Sequence, residues 1–344
     1  MRIAQFHLLL VFIVVLAACN YNKKEETAPP YLSAKEAVQL NQLVYKGDSK
    51  AAFAKYAPDY EVVFLPEALG GNYAIIAKRK KTEQYALVIR GSVMKFSNEG
   101  FQNFILQDFN IFKIKAWPYA DSVKEAHISQ GAYIGFQNLL QLRDTATGLT
   151  IKEFIEQKIP GNASLVITGH SLGGNLAYPF AGYLKKELAT GKNKYLQLIT
   201  FGAPAAGNAA FVKDMEGKFP DAERYAASMD IAVVFPDVKK IGDLAKITGL
   251  DSVLQLGSLN INGIDTELNA KNLLNIGGEI LKRTGVINET NEYVQSNKHL
   301  RLLTNKNDSI IKNTLSADAL FDRAYFFHRI DAYAELLGGK ALED

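Results

Sequence analysis

A chain of 344 residues with 48% hydrophobic and 22% charged side chains is long enough to bury a large core and too ordinary in composition for a disordered, collagen-like or low-complexity protein. A net charge of +3, from 39 Lys+Arg against 36 Asp+Glu, without a dense basic stripe, gives no electrostatic footprint for nucleic acid. The single cysteine, Cys19, excludes intrachain disulfides and cysteine-based zinc or iron–sulfur sites.

The amino terminus opens with Arg2 and then an unbroken apolar run from Leu8 to Ala18, 11 residues long. A spanning helix needs about 20 apolar residues, so this run is expected to be the hydrophobic part of a signal peptide covering residues 1–18. Leu16-Ala17-Ala18-Cys19 resembles the bacterial lipobox, where cleavage leaves a cysteine that is diacylated and then N-acylated. The resemblance implies a lipid-anchored protein of the bacterial cell envelope, at the outer membrane or cell surface, with Cys19 as the modified residue. Residues 19–30 are polar, end in Pro29-Pro30 and read as a tether. Within them Lys24-Glu25-Glu26 resembles the export signal of surface lipoproteins in Bacteroidetes-type bacteria.

Residues 31–344 are expected to form the folded domain. Ser33-Ala34-Lys35-Glu36 has capping-box spacing, and Ala37, Val38, Leu40, Leu43 and Val44 follow with helical period. From Tyr60 the pattern turns to short β-rich runs, EVVFL, YAIIA and YALVI, the last two flanking the charged stretch Lys78 to Glu83 as in a hairpin. FKIKAW reads as a strand and residues 133–157 as one long helix. SLVITG reads as a buried strand, 174–189 as a helix, and YLQLITFG and RYAAS as further strands. This alternation predicts an α/β fold with a mostly parallel central sheet flanked by helices, SLVITG at its centre. Residues 237–315, with two-sided Leu/Ile spacing and several Gly and Asn, are expected to be a helical insertion or cap before the last histidine.

Gly169-His170-Ser171-Leu172-Gly173 satisfies G-x-S-x-G. The string follows an apolar strand and precedes a helical pattern, the strand-turn-helix context in which a serine is exposed on a strained elbow. Glycines belong at 169 and 173 because a Cβ there would collide as the chain reverses. The helix start aims free N–H groups and a positive dipole end at developing negative charge, so the Leu172 N–H is a candidate oxyanion donor.

TGHSLGG, with LITFGAPAAGN at 198–208 and VIRGS at 88–92, resembles the class 3 (fungal-type) lipase family, serine esterases of the α/β-hydrolase fold. The likeness runs over roughly residues 60–236 and a short stretch near 320–337. It implies that Ser92, at the end of the VIRGS strand, supplies a backbone N–H and hydroxyl to the oxyanion hole. It also implies that residues 93–112, rich in Phe, Ile and Leu, form a lid, although the same side chains suit a core helix and strand. The chain departs from the family at NFILQDF, where Phe104 and Asp108 stand one residue out of step with a Trp and an Asp. It departs again at Pro204-Ala205-Ala206-Gly207 and at Pro179, which should kink the helix behind the serine or remove one of its hydrogen bonds.

A hydroxyl nucleophile needs a base and an orienting acid, in the order Ser, Asp, His for this fold. Asp230, just past the RYAAS strand and followed by Phe235-Pro236, resembles the family's acid; Asp214, Asp221 and Asp237 stand in polar surroundings expected of solvated carboxylates. His7 lies in the signal, His127 precedes Ser171, and His170 is expected to be a packing residue. That leaves His299 and His328, of which His328, ahead of a helix-patterned segment with Tyr333 and Leu336-Leu337 on its apolar face, resembles the family's base. The expected activity is ester hydrolysis by Ser171, Asp230 and His328 with Ser92 and Leu172 as oxyanion donors. The expected substrates are acylglycerols or other carboxylic esters, and the expected partner surface is a membrane. No metal or cofactor is expected, since HExxH, GxGxxG and P-loop strings are lacking. A carbohydrate-ester esterase and a catalytically silent binding module are the alternatives.

Overall fold

The computed structural model describes residues 31–93, 114–121, 123–189, 195–236, 255–261, 264–269, 293–304 and 325–342. The signal, Cys19, the tether and residues 94–112 of the expected lid, with Phe104 and Asp108, lie outside the described residues.

Helix α1 (Ala34–Leu43) starts where the capping box places it. Ser33 Oγ accepts from the Glu36 N–H at 3.3 Å and Glu36 Oε2 accepts from the Ser33 N–H at 3.0 Å. Helix α2 (Ser49–Tyr56) is capped by Asp48, and β1 (Tyr60–Phe64), β2 (Ala74–Arg79) and β3 (Gln84–Ile89) follow as antiparallel neighbours, β2 and β3 forming the expected hairpin. Of FKIKAW, Ile114–Ala116 form β4, which pairs with β5 (His127–Ser129) in a separate sheet.

Residues 133–157 are not one helix. They divide into α3 (Gln130–Gln141) and α4 (Ile151–Lys158). Asp144 ends the first helix's run by accepting from the Leu65 and Thr147 N–H groups at 2.9 Å each. Gly148 turns at φ +70°, a region that glycine enters without strain. Thr150 with Glu153 then opens a second capping box.

Strand β6 (Ser164–His170), helix α5 (Leu172–Glu187), β7 (Leu196–Phe201), the short β8 (Gly207–Asn208), α6 (Ala209–Lys218) and β9 (Glu223–Ala227) continue the pattern. Helix α5 runs on through Pro179, which is buried inside it.

Among its described residues, the stretch expected to be a helical insertion holds strands and no helix. β10 (Gln255–Ile261) and β11 (Ile264–Asn269) pair antiparallel, and the sequence between them, Asn262-Gly263, is a dipeptide that favours tight hairpins. β12 (Tyr293–Val294) joins β8, and β13 (Leu300–Leu303) pairs parallel with β9 at the edge of the main sheet. Helix α7 (Ile330–Leu336) closes the chain.

The main sheet has seven strands in the order β1-β2-β3-β6-β7-β9-β13, with every pair from β3 onward parallel. β6 is central and all seven of its residues are buried. Its period-two alternation serves two cores. Leu165 and Ile167 pack with Phe136, Leu176 and Phe180 of α3 and α5, while Val166 packs with Val38, Leu40 and Tyr333 of α1 and α7. A strand pinned on both faces presents its carboxyl end at a fixed point, and Ser171 follows it.

Candidate active site

Ser171 has φ 58° and ψ −127°, a left-handed conformation that a non-glycine residue adopts at a cost of about 1–3 kcal/mol. The turn is held by its N–H, which donates to the Phe201 carbonyl at 3.0 Å. The two glycines of the motif are sterically required: a Cβ on Gly169 would lie 2.2 Å from the Gly173 carbonyl oxygen, and one on Gly173 would lie 2.1 Å from that of Ile89. Leu172 opens α5, so its N–H is one of the four that a helix leaves without an internal partner. Leu172 and Ser92 line one cavity of about 370 Å³, together with Arg90, Gly91, Val93 and Ile134.

His328 Nε2 lies 2.8 Å from Ser171 Oγ, and His328 Nδ1 lies 2.9 and 3.0 Å from the two oxygens of Asp230. A carboxylate can only accept, so the imidazole proton resides on Nδ1 and the Nε2 lone pair faces the serine hydroxyl. Asp230 is fully buried just past β9. Its oxygens also receive the Ala232 N–H at 2.8 Å and the Tyr333 hydroxyl at 2.6 Å. Gly202, at φ +57°, makes room for it, since a Cβ there would sit 3.0 Å from Asp230 Oδ2.

Tyr333 does more than supply an apolar face: its hydroxyl oxygen accepts the Ala227 N–H at 3.1 Å while the hydroxyl donates to Asp230. Burial and the neighbouring Asp230 charge push its pKa well above the ordinary tyrosine value, so it remains a donor. No sequence spacing announces such a role; it arises because α7 packs against the end of β9.

The other candidates lie apart from this chain of hydrogen bonds. His299 is fully buried, with Nδ1 3.3 Å from the Tyr178 hydroxyl, and its backbone carbonyl accepts from Arg224 in β9. Burial is the main cause that lowers its pKa, with Lys298 and Arg224 contributing less. Asp214 is not solvated: it is buried and held by Lys218, one helical turn away, at 2.6 and 2.7 Å. The i, i+4 spacing of the two residues was the available signal. Asp221 is exposed, and Asp237 lies outside the described residues. His127 Nδ1 bonds the Glu125 carbonyl at 2.7 Å. His170 is not only a packing residue: its ring nitrogens contact the Tyr45 hydroxyl at 2.9 Å and the His328 carbonyl at 2.7 Å. Among the described residues no group of three or more His, Cys, Asp or Glu side chains is placed to hold a metal.

A mostly parallel sheet flanked by helices, with a strained serine between the central strand and the next helix, defines the class as the α/β-hydrolase fold. The crystal structure of M37 lipase has this fold at a TM-score of 0.67 and 21% identity, over 90% of this chain and 94% of that one. Residues 86–239 match the model of the lipase (class 3) family, which supports a triacylglycerol lipase-like ester hydrolase. Weaker likenesses are the lipase of Rhizopus microsporus var. chinensis, with a TM-score of 0.44 and 19% identity over 61% of this chain and 75% of that one, and lipase II of Rhizopus niveus, with 0.43 and 21% over 59% and 71%. No curated protein sequence matches the chain.

Proposed function

We propose that Ser171, His328 and Asp230 are the catalytic triad of a lipid-anchored esterase. The observation that carries this is the unbroken contact from Asp230 through His328 to Ser171 Oγ, with distances of 2.9 and 2.8 Å and the lone pair of Nε2 facing the hydroxyl. His328 takes the serine proton as Oγ attacks the ester carbonyl, and Asp230 stabilises the imidazolium that forms. The Leu172 N–H and Ser92 receive the oxyanion from the cavity they line. His328 then returns the proton to the leaving alcohol. A water molecule, deprotonated by the same nitrogen, releases the carboxylic acid and restores Ser171.

The apolar surface of Val93 and Ile134, 69% and 48% exposed, supports lipid esters as substrates, although Asn72, Arg90 and Asn138 line the same cavity. We further propose that Cys19 carries the lipid anchor and holds the enzyme on the bacterial envelope, where several acyl chains at about 0.8 kcal/mol per buried CH₂ make attachment effectively permanent. Ser171→Ala, assayed on p-nitrophenyl butyrate, should lose about 10⁴- to 10⁶-fold in turnover while keeping its thermal midpoint. Substantial residual hydrolysis in the purified variant refutes the triad.

A further inference from the structure

Two residues that the proposed mechanism does not use connect its two halves. The His328 carbonyl can only accept a hydrogen bond, so the proton of the His170 imidazole lies on Nε2, which donates to that carbonyl at 2.7 Å. His170 Nδ1 is then bare and accepts from the Tyr45 hydroxyl at 2.9 Å. The Tyr45 oxygen in turn accepts the Gly91 N–H at 3.1 Å. The Tyr45 hydroxyl also lies 3.5 Å from the His170 carbonyl, a longer contact than the one to Nδ1, and the chain runs without a break from the residue before Ser92 to the backbone of the base.

We propose that Tyr45 and His170 are positioning residues: a hydrogen-bonded strut that fixes the oxyanion-side loop and the base at one mutual distance. This rests on the triad reading above. Three further observations support it. Gly91 is shaped for the phenol, since a Cβ there would meet the Tyr45 hydroxyl at 2.2 Å and the His170 carbonyl at 2.6 Å. The strut passes directly behind the nucleophile, because His170 immediately precedes Ser171 and is buried. The rings of His170 and His328 lie 4.8 Å apart between centroids. A second imidazolium at that distance would oppose the charge that forms on His328 during acylation, and burial followed by the influence of His328 keeps His170 neutral, its pKa well below the ordinary histidine value. Tyr45, two residues past the end of α1, and His328, two residues before α7, both fall outside the family-matched segment 86–239, whereas His170 ends β6 within it.

The tetrahedral intermediate needs the oxyanion donors and the base in register at once, and a misplacement of about 1 Å can cost on the order of 100-fold in rate. Tyr45→Phe keeps the ring and removes only the hydroxyl. With p-nitrophenyl butyrate, and turnover expressed per active site titrated with a fluorophosphonate, kcat should fall about 10- to 100-fold with KM within two-fold. Affinity for an alkylboronic acid, which forms a tetrahedral adduct on the serine, should fall by a similar factor. His170→Gln, which keeps a donor towards His328 and loses the acceptor for Tyr45, should show the same pattern, and it carries the test if Tyr45→Phe does not fold. The double variant should be no worse than the poorer single, because both break one chain. A merely structural role predicts fewer titratable sites with wild-type turnover and boronate affinity at each, and that result overturns the proposal, as do additive effects. Ser171→Ala, run in parallel, separates the two readings: if it is inactive while Tyr45→Phe matches wild type, only the strut fails; if it is active, the triad fails first.

Discussion

Tyr333→Phe isolates one hydroxyl at the acid end of the proposed triad. The substitution leaves the ring against Phe201 and His170, whose centroids lie 6.4 and 5.9 Å away. It removes the bond to Asp230 at 2.6 Å and leaves the buried Ala227 N–H, previously bonded at 3.1 Å, without an acceptor. A hydrogen bond to a charged group contributes roughly 1.5–3 kcal/mol and an orphaned buried donor costs roughly 1–3 kcal/mol. With partial relaxation the expected loss of stability is about 2–4 kcal/mol. Asp230 keeps the Ala232 N–H and His328, so the triad survives but its acid is free to shift by a few tenths of an ångström. Turnover per titrated site should therefore fall about 10-fold, well short of the loss expected for Ser171→Ala. Urea unfolding and p-nitrophenyl butyrate hydrolysis read the two quantities on the same sample. Stability within 0.5 kcal/mol of wild type, together with unchanged turnover, would refute the role given to this hydroxyl.

Gly173→Ala should abolish hydrolysis, since its Cβ would strike the Ile89 backbone oxygen at 2.1 Å and move the strand that leads into Ser92; wild-type turnover in that variant contradicts the elbow geometry. His299→Leu should leave turnover within a few-fold of wild type while altering stability against pH. Burial depresses the pKa of His299 below the ordinary value of 6.5, so from about pH 6.5 downward the unfolded chain binds a proton that the folded chain refuses. Stability therefore falls with acidification, by up to about 1.4 kcal/mol per pH unit for this histidine, and replacing it should flatten that slope. Equal slopes for the two proteins between pH 5 and 6.5 would show that His299 is not buried and neutral. Cys19→Ser should appear as unprocessed precursor or in the soluble fraction; mass spectrometry finding an unacylated mature terminus elsewhere in the native protein contradicts the anchor.

The parts of the site legible in the sequence are those where backbone geometry dictates residue type. Gly169 and Gly173 announce the elbow because no side chain fits there, and the unbroken apolar run of β6 announces a strand buried on both faces. Order along the chain leaves both His299 and His328 open, and Asp230 and His328 are legible through their resemblance to the family's acid and base; the fold brings these two within hydrogen-bonding distance of each other. Less legible were the breaks and the hydroxyls. Helical periodicity carries across residues 142–150, although Gly148 and the Thr150-Glu153 capping box mark a stop and a restart. Asn262-Gly263 marked a hairpin within the stretch expected to be helical. Nothing local distinguishes Tyr45 or Tyr333 from any half-buried tyrosine, because their partners lie 46 and 103 residues away.

The most direct test of the catalytic assignment is to label the protein with a fluorophosphonate and map the adduct by mass spectrometry, in wild type and in His328→Ala. A base at 2.8 Å from Ser171 Oγ predicts a single adduct on Ser171 in the wild type and its disappearance in the variant. An adduct on a different serine, or labelling of Ser171 undiminished without His328, would contradict it.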